Sequence, residues 1–183
     1  NITTVGNINP DKGIEYFVGM ASALNDRYDN LAFHVVGARL DSQAHYADRL
    51  SDMVQREGLT NLRFHGYSGD VASVLKATDV FVCSSVTEAS PMAVWEAMAM
   101  EKAVVSTDVG DVATYLHDGV NGCVVHPEDS SALAEKVGAL IEDEELRATF
   151  GRRARATAIA ELDISVCVDK HRSLYMELLA DST

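Results

Sequence analysis

The feature that most constrains this chain is its rhythm, in which short apolar runs alternate with longer amphipathic segments along nearly the whole length. The runs are Ile2–Val5, Leu31–Val36, Leu62–His65, Val80–Cys83, Ala103–Thr107 and Cys123–Val125. Helical spacing fills the gaps near Ile14–Asn25, Gln43–Glu57, Val71–Ala77, Pro91–Met100, Val112–His117 and Ser130–Glu142. In the second of these, Ala44, Ala47, Leu50, Met53 and Val54 follow the i, i+3, i+4 rule, and Gly58 stops the helix. Strands that alternate with helices at this spacing predict a parallel sheet covered on both faces. Two further helices, Glu144–Glu161 and Asp163–Leu179, close the chain. The expectation is one doubly wound α/β domain over residues 1–162, with six parallel strands, and a C-terminal helix over 163–183.

Within that pattern one stretch stands out, Glu88 to Met100. Ser90 suits a helix N-cap and Pro91 the first helical position. From Pro91 to Met100 every residue is apolar except Glu96, which predicts a buried helix carrying one carboxylate that needs a partner. Glu88 falls on the strand-to-helix turn, at the carboxyl edge of the sheet where open α/β folds bind ligands. The helix N-terminus turns its positive end and free amides to the same edge, and these favour an anion. Five loops should line that edge: Gly6–Gly13, Gly37–Asp41, His65–Asp70, Ser84–Met92 and Thr107–Asp111. Glycines there allow close backbone approach. Lys12, on the first loop, offers a point charge to a phosphate.

Composition removes several alternatives. A net charge of −13 argues against nucleic acid or an anionic membrane as a partner. The three cysteines, Cys83, Cys123 and Cys167, sit among apolar residues and read as buried, reduced thiols of a cytoplasmic protein. The histidines show no metal-ligand spacing, and His34 reads as a core histidine. Neither G-x-G-x-x-G, nor a P-loop, nor the G-x-S-x-G elbow occurs. No run is long and apolar enough to cross a membrane. The chain opens directly on a strand without an initiator Met, which suggests a piece of a longer protein.

At these residues the chain resembles the C-terminal, donor-binding domain of retaining glycosyltransferases with the GT-B fold, a Rossmann-like half. This group is similar to glycogen synthase, sucrose synthase and bacterial mannosyl- and glucosyltransferases. Its E-x7-E signature is met by Glu88 and Glu96, within Glu88-Ala-Ser-Pro91 and Glu96-Ala-Met-Ala99. Asn7-Ile-Asn-Pro-Asp-Lys-Gly13 resembles its G-R-L-x-P-x-K-G loop, and Asp108-Val-Gly110 with Asp118-Gly-Val-Asn-Gly122 its later landmarks. The likeness runs in order from residue 2 to about residue 155.

The resemblance implies a role for each matching residue. Lys12 binds the donor diphosphate, Glu96 holds the ribose hydroxyls, and Glu88, the catalytic residue, contacts the transferred sugar. The backbone around Ser90, Pro91, Met92 and Ala93 meets phosphate oxygens or sugar hydroxyls. Gly6, Asn7 and Gly37 lie along the donor, and His65, Gly66 and Tyr67 hold the base. The substrate is a nucleotide-diphosphate sugar, with no cofactor and no obligatory metal, and the partner is an N-terminal acceptor domain absent from this chain. On that account the chain alone binds donor weakly and transfers little or no sugar, and its last helix packs across to the missing domain. Asn7 stands where the family usually has arginine, and Ala89 where it has glycine. Arg39 on the next loop is either a substitute for that charge or plain surface. Two alternatives remain: a non-catalytic sugar-nucleotide-binding module, and a sugar-nucleotide epimerase or phosphorylase of the same fold.

Overall fold

The computed structural model describes residues 1–180. Six parallel strands, β1 (Ile2–Val5), β2 (Phe33–Val36), β3 (Leu62–Gly66), β4 (Val80–Cys83), β5 (Ala103–Thr107) and β6 (Cys123–Val125), form one sheet in the order β3-β2-β1-β4-β5-β6. The helices are α1 (Ile14–Asn25), α2 (Ala44–Arg56), α3 (Val71–Lys76), α4 (Met92–Ala99), α5 (Val112–Tyr115), α6 (Ser130–Glu142), α7 (Glu144–Thr157) and α8 (Ile164–Ala180). The strand order reverses between β1 and β4, so their carboxyl ends frame the ligand crevice of such a sheet.

Side-chain alternation along the strands builds two cores. Ile2, Phe33, Val35, Val82 and Val105 point to one face, where Phe17 and Leu24 of α1, Leu50 of α2 and Leu133 of α6 cover them. Phe81, Cys83 and Val104 point to the other, against Leu75 of α3, Val94 and Met98 of α4, Val112 of α5 and Ala154 of α7.

Five sequence expectations are corrected. β2 starts at Phe33 rather than Leu31: Asn30 has a φ of 63° and the Asn61 side chain donates to the Leu31 carbonyl at 2.9 Å, so those residues finish a turn. α7 ends at Thr157 and gives way to a π-turn, Ala158–Leu162, before α8. Coverage of the second face is incomplete, because the short α3 leaves a hollow of about 470 Å³ over β2 and β3. His34 is therefore half-buried on the floor of that hollow, rather than in a core. Cys83 and Cys123 are buried free thiols, and burial pushes Cys123 up to about 11, but Cys167 on α8 is only half-buried. α8 exposes Ile164, Val168, Tyr175 and Met176. No helix among the described residues is long and apolar enough to cross a membrane.

Candidate active site

The site is built where the β1–α1 and β4–α4 loops interlock. Asn9 accepts a hydrogen bond from the Lys12 amide at 3.2 Å and winds Pro10–Lys12 into a single 3-10 turn. Gly13 ends that turn with a φ of 55°, and a Cβ there would lie 2.2 Å from the Ser84 carbonyl oxygen. Only glycine fits a position both left-handed and that close to backbone. The Val86 and Thr87 amides donate to the Asp11 carbonyl at 2.8 and 3.3 Å, and the Ser84 hydroxyl to the Lys12 carbonyl at 3.1 Å. Two loops distant in sequence are thus stitched backbone to backbone. Across the seam the Lys12 ammonium pairs with Glu88 Oε1, with the side chains 28% and 13% exposed. The Ser85 hydroxyl donates to the same oxygen at 2.9 Å.

Helix α4 differs from its sequence reading in two respects. It begins at Met92, with Pro91 at the N-cap position, and Ser90 does not cap it. Instead the Ser90 hydroxyl accepts from the Trp95 indole N–H at 3.0 Å and donates to Asp111 at 3.1 Å. A tertiary partner has displaced the local one. Nor is the helix buried all round: Val94, Trp95, Ala97 and Met98 are buried, whereas Met92 and Glu96 are exposed. Glu96 therefore escapes the desolvation expected of it, and its carboxylate has no side-chain partner among the described residues. Gly110, with a φ of 56°, brings the β5–α5 loop against the same turn, where a Cβ would sit 2.2 Å from the Ala89 carbonyl oxygen.

These elements enclose a crevice of about 370 Å³. It gathers Gly6, Asn7, Lys12, Glu88, Ser90, Pro91, Met92, Ala93 and Glu96 in one place. Its charged lining is Lys12, Glu88 and Glu96, so one cation faces two carboxylates. The first two amides of α4, Met92 and Ala93, lack intrahelical partners and add the positive end of a helix dipole, whereas Val94 N–H already donates to the Pro91 carbonyl at 2.9 Å. By contrast, the first amide of α1 is already used, because Ile14 N–H donates to the Tyr46 hydroxyl at 3.1 Å. Tyr46 also hydrogen-bonds Glu15, and burial followed by that carboxylate raises its pKa.

The remaining expected residues lie beside the crevice. A Cβ on Gly37 would be 1.8 Å from the Gly6 carbonyl oxygen, and the Gly37 amide donates to Gly66 at 2.9 Å. The ends of β1, β2 and β3 therefore meet as bare backbone. His65 and Tyr67 line the neighbouring hollow, Tyr67 being 79% exposed. There His34 Nδ1 and His65 Nε2 are 3.0 Å apart, and burial, then the charge of His65, lowers the His34 pKa. Asn7 accepts from the Ala38 amide at 3.2 Å. Arg39 pairs with Asp48 at 2.9 Å and does not line the crevice. No group of three or more His, Cys, Asp or Glu placed to hold a metal occurs among the described residues.

Ser85, Thr107, Trp95 and Asp111 were not singled out by the sequence. The readable signal was the polar pair Ser84-Ser85 ending an apolar strand three residues before Glu88.

The chain is 29% identical over 178 residues to the alpha-D-kanosaminyltransferase of Streptomyces kanamyceticus, covering 95% of this chain and 45% of that one. It is 33% identical over 118 residues to the alpha-maltose-1-phosphate synthase of Mycobacterium tuberculosis, 61% of this chain and 30% of that one. The chain thus spans less than half the length of these curated relatives. The crystal structure of Anabaena HepE with UDP superposes with a TM-score of 0.89 at 24% identity, over 96% of this chain and 48% of that one. The C-terminal domain of a glycosyl transferase group 1 family protein, LpcC, from Francisella tularensis gives 0.83 at 26% identity, over 89% and 86%. The fold matches one half of the GT-B architecture. The family model matches residues 1–157, and this chain belongs to the glycosyl transferases group 1 family.

Proposed function

We propose that this chain is the donor-binding half of a retaining glycosyltransferase, which moves a sugar from a nucleotide-diphosphate sugar to an acceptor hydroxyl. The observation that carries the reading is the crevice at the β1/β4 switch, where Lys12, the α4 N-terminus, Glu88 and Glu96 converge. The diphosphate lies between the Lys12 ammonium and the first amides of α4, where fixed charge and dipole stabilise the leaving group as its bond to the sugar breaks. Glu96, exposed on the crevice face of α4, accepts hydrogen bonds from the ribose hydroxyls. Glu88, deeper and held by Ser85, faces the sugar and stabilises positive charge that develops at the reacting carbon. The base rests beyond the bare backbone of Gly6, Gly37 and Gly66, against His65 and Tyr67. An N-terminal domain of the same protein supplies the acceptor side, and the diphosphate requires no resident metal.

The test is calorimetric binding of UDP, GDP and ADP to this domain, with Lys12→Ala and Glu96→Ala as controls. UDP is the first choice because Anabaena HepE is seen with UDP and with UDP-glucose. Selective binding that both substitutions abolish supports the reading; nucleotide binding indifferent to both overturns it. Asn7 favours a second reading. With a neutral amide tied to Ala38 in place of a guanidinium, the crevice has a single cation, which suits a module that binds sugar nucleotides without turning them over. Transfer by the natural-length protein would dismiss this.

A further inference from the structure

We propose that Ser85 is a positioning residue that holds the Glu88 carboxylate in place while Lys12 exchanges from that carboxylate to the donor's diphosphate. The inference rests on the functional reading above.

Both hydrogen bonds to Glu88 arrive at Oε1, from the Lys12 ammonium and from the Ser85 hydroxyl. The two donors are anchored very differently. Lys12 is a point charge on a flexible four-carbon stem, 28% exposed, and can swing toward a phosphate without disturbing backbone. Ser85 is 3% exposed and fixed from behind. The Thr107 hydroxyl, wholly buried, donates to the Ser85 carbonyl at 2.7 Å. The Cys83 thiol donates to Ser85 Oγ at 3.5 Å. A hydroxyl has one proton, and with the thiol pointing at its lone pair that proton goes to Glu88.

When diphosphate enters, its charge draws Lys12 away, and Glu88, only 13% exposed, would then have no donor but Ser85. A carboxylate left without donors in such a place would move to find another. Displacement of a reacting group by about 1 Å can cost roughly a hundredfold in rate. Ser85 removes that freedom, so Glu88 keeps its position through the exchange.

The experiment uses the natural-length protein with saturating acceptor, and compares Ser85→Ala with Ser85→Thr. Ser85→Ala should lower kcat about ten- to a hundredfold while donor KM stays within about threefold, since Lys12 and Glu96 still hold the nucleotide. Ser85→Thr keeps the hydroxyl and should recover most of the rate. Unchanged kcat in Ser85→Ala, or Ser85→Thr as slow as Ser85→Ala, overturns the proposal. Should Ser85→Ala fail to fold, Thr107→Val decides: it removes the hydroxyl anchored at 2.7 Å on the Ser85 carbonyl and at 3.4 Å on the Cys83 carbonyl, and an unaltered kcat there also overturns it. If Lys12→Ala and Glu96→Ala leave nucleotide binding intact, the functional reading itself has failed. If they abolish binding while the Ser85 variants are silent, only the role of Ser85 is lost.

Discussion

Replacing Glu88 with glutamine should tighten the binding of free UDP even as it removes sugar transfer. Glutamine keeps the size of the side chain, and its carbonyl can still accept from Ser85. What it loses is the charge that pairs with Lys12 in the empty site. Ion pairs in open solvent contribute about 0–1 kcal/mol, whereas removing one partner of a buried pair costs about 3–5 kcal/mol. With side chains 28% and 13% exposed, the Lys12–Glu88 pair falls between these limits, and about 1–2 kcal/mol is a reasonable magnitude once solvent screening is allowed for. A diphosphate that takes Lys12 must break this pair, so removing it should improve the UDP dissociation constant roughly five- to thirtyfold. Raising the salt concentration should shrink the gain, because a partly exposed charge is screened. Titration calorimetry on the wild type, Glu88→Gln, Lys12→Met and the double variant completes a cycle. The gain should vanish when Lys12 is absent. Equal or weaker UDP binding by Glu88→Gln would refute the reasoning, as would a gain that survives in the Lys12→Met background.

Four further outcomes are expected. Asn7→Arg should add the missing cation to the crevice and tighten UDP binding about tenfold with a steeper salt dependence, read by calorimetry. Glu96→Gln should weaken UDP about tenfold yet leave inorganic pyrophosphate unaffected, because only the nucleoside carries ribose hydroxyls. Gly110→Ala combines a left-handed φ of 56° with a Cβ 2.2 Å from backbone, and urea denaturation should show a loss of about 2–4 kcal/mol. The His34 pKa is lowered in the folded protein, so between that value and an unfolded pKa of about 6.5 the unfolded chain binds more protons. Stability should be full above about pH 6.5 and fall as the pH drops toward the native value, and His34→Gln should flatten that slope in denaturant midpoints measured against pH.

How much of this was legible in the sequence depended on whether the deciding contact was local. α1 matches its expected bounds because Gly13 sets its start through a backbone conformation that the residue type announces. β4 and β5 match because strands buried on both faces read as runs that are apolar throughout in β4 and apolar or small in β5. The capping role given to Ser90 failed for the opposite reason. Its hydroxyl is taken by Trp95 and by Asp111, the latter reached only through the fold. Glu96 was expected to be buried since its neighbours in sequence are apolar, but an apolar window cannot show that one side of a helix faces an open crevice. The Lys12–Glu88 meeting was foreseen as convergence on one sheet edge, whereas the hydroxyl of Ser85 beneath it was not. Tyr67 lies on the expected loop and His65 within β3, and both line the adjoining hollow, because the short α3 leaves β2 and β3 uncovered.

The seam between the Asp11–Gly13 and Ser84–Thr87 backbones bears on how this protein folds. β1 and β4 are sheet neighbours, yet two complete strand–helix units separate them in sequence, so neither loop can take its final shape until a long-range closure has occurred. The crevice therefore exists only where β1 and β4 have paired, and any opening that parts them erases it. Binding of a nucleotide then acts on the whole central sheet: by mass action it should slow hydrogen exchange at the Val86 and Thr87 amides along with amides deep in β1 and β4. Ligand affinity in this molecule is in that sense a readout of whether the sheet has closed.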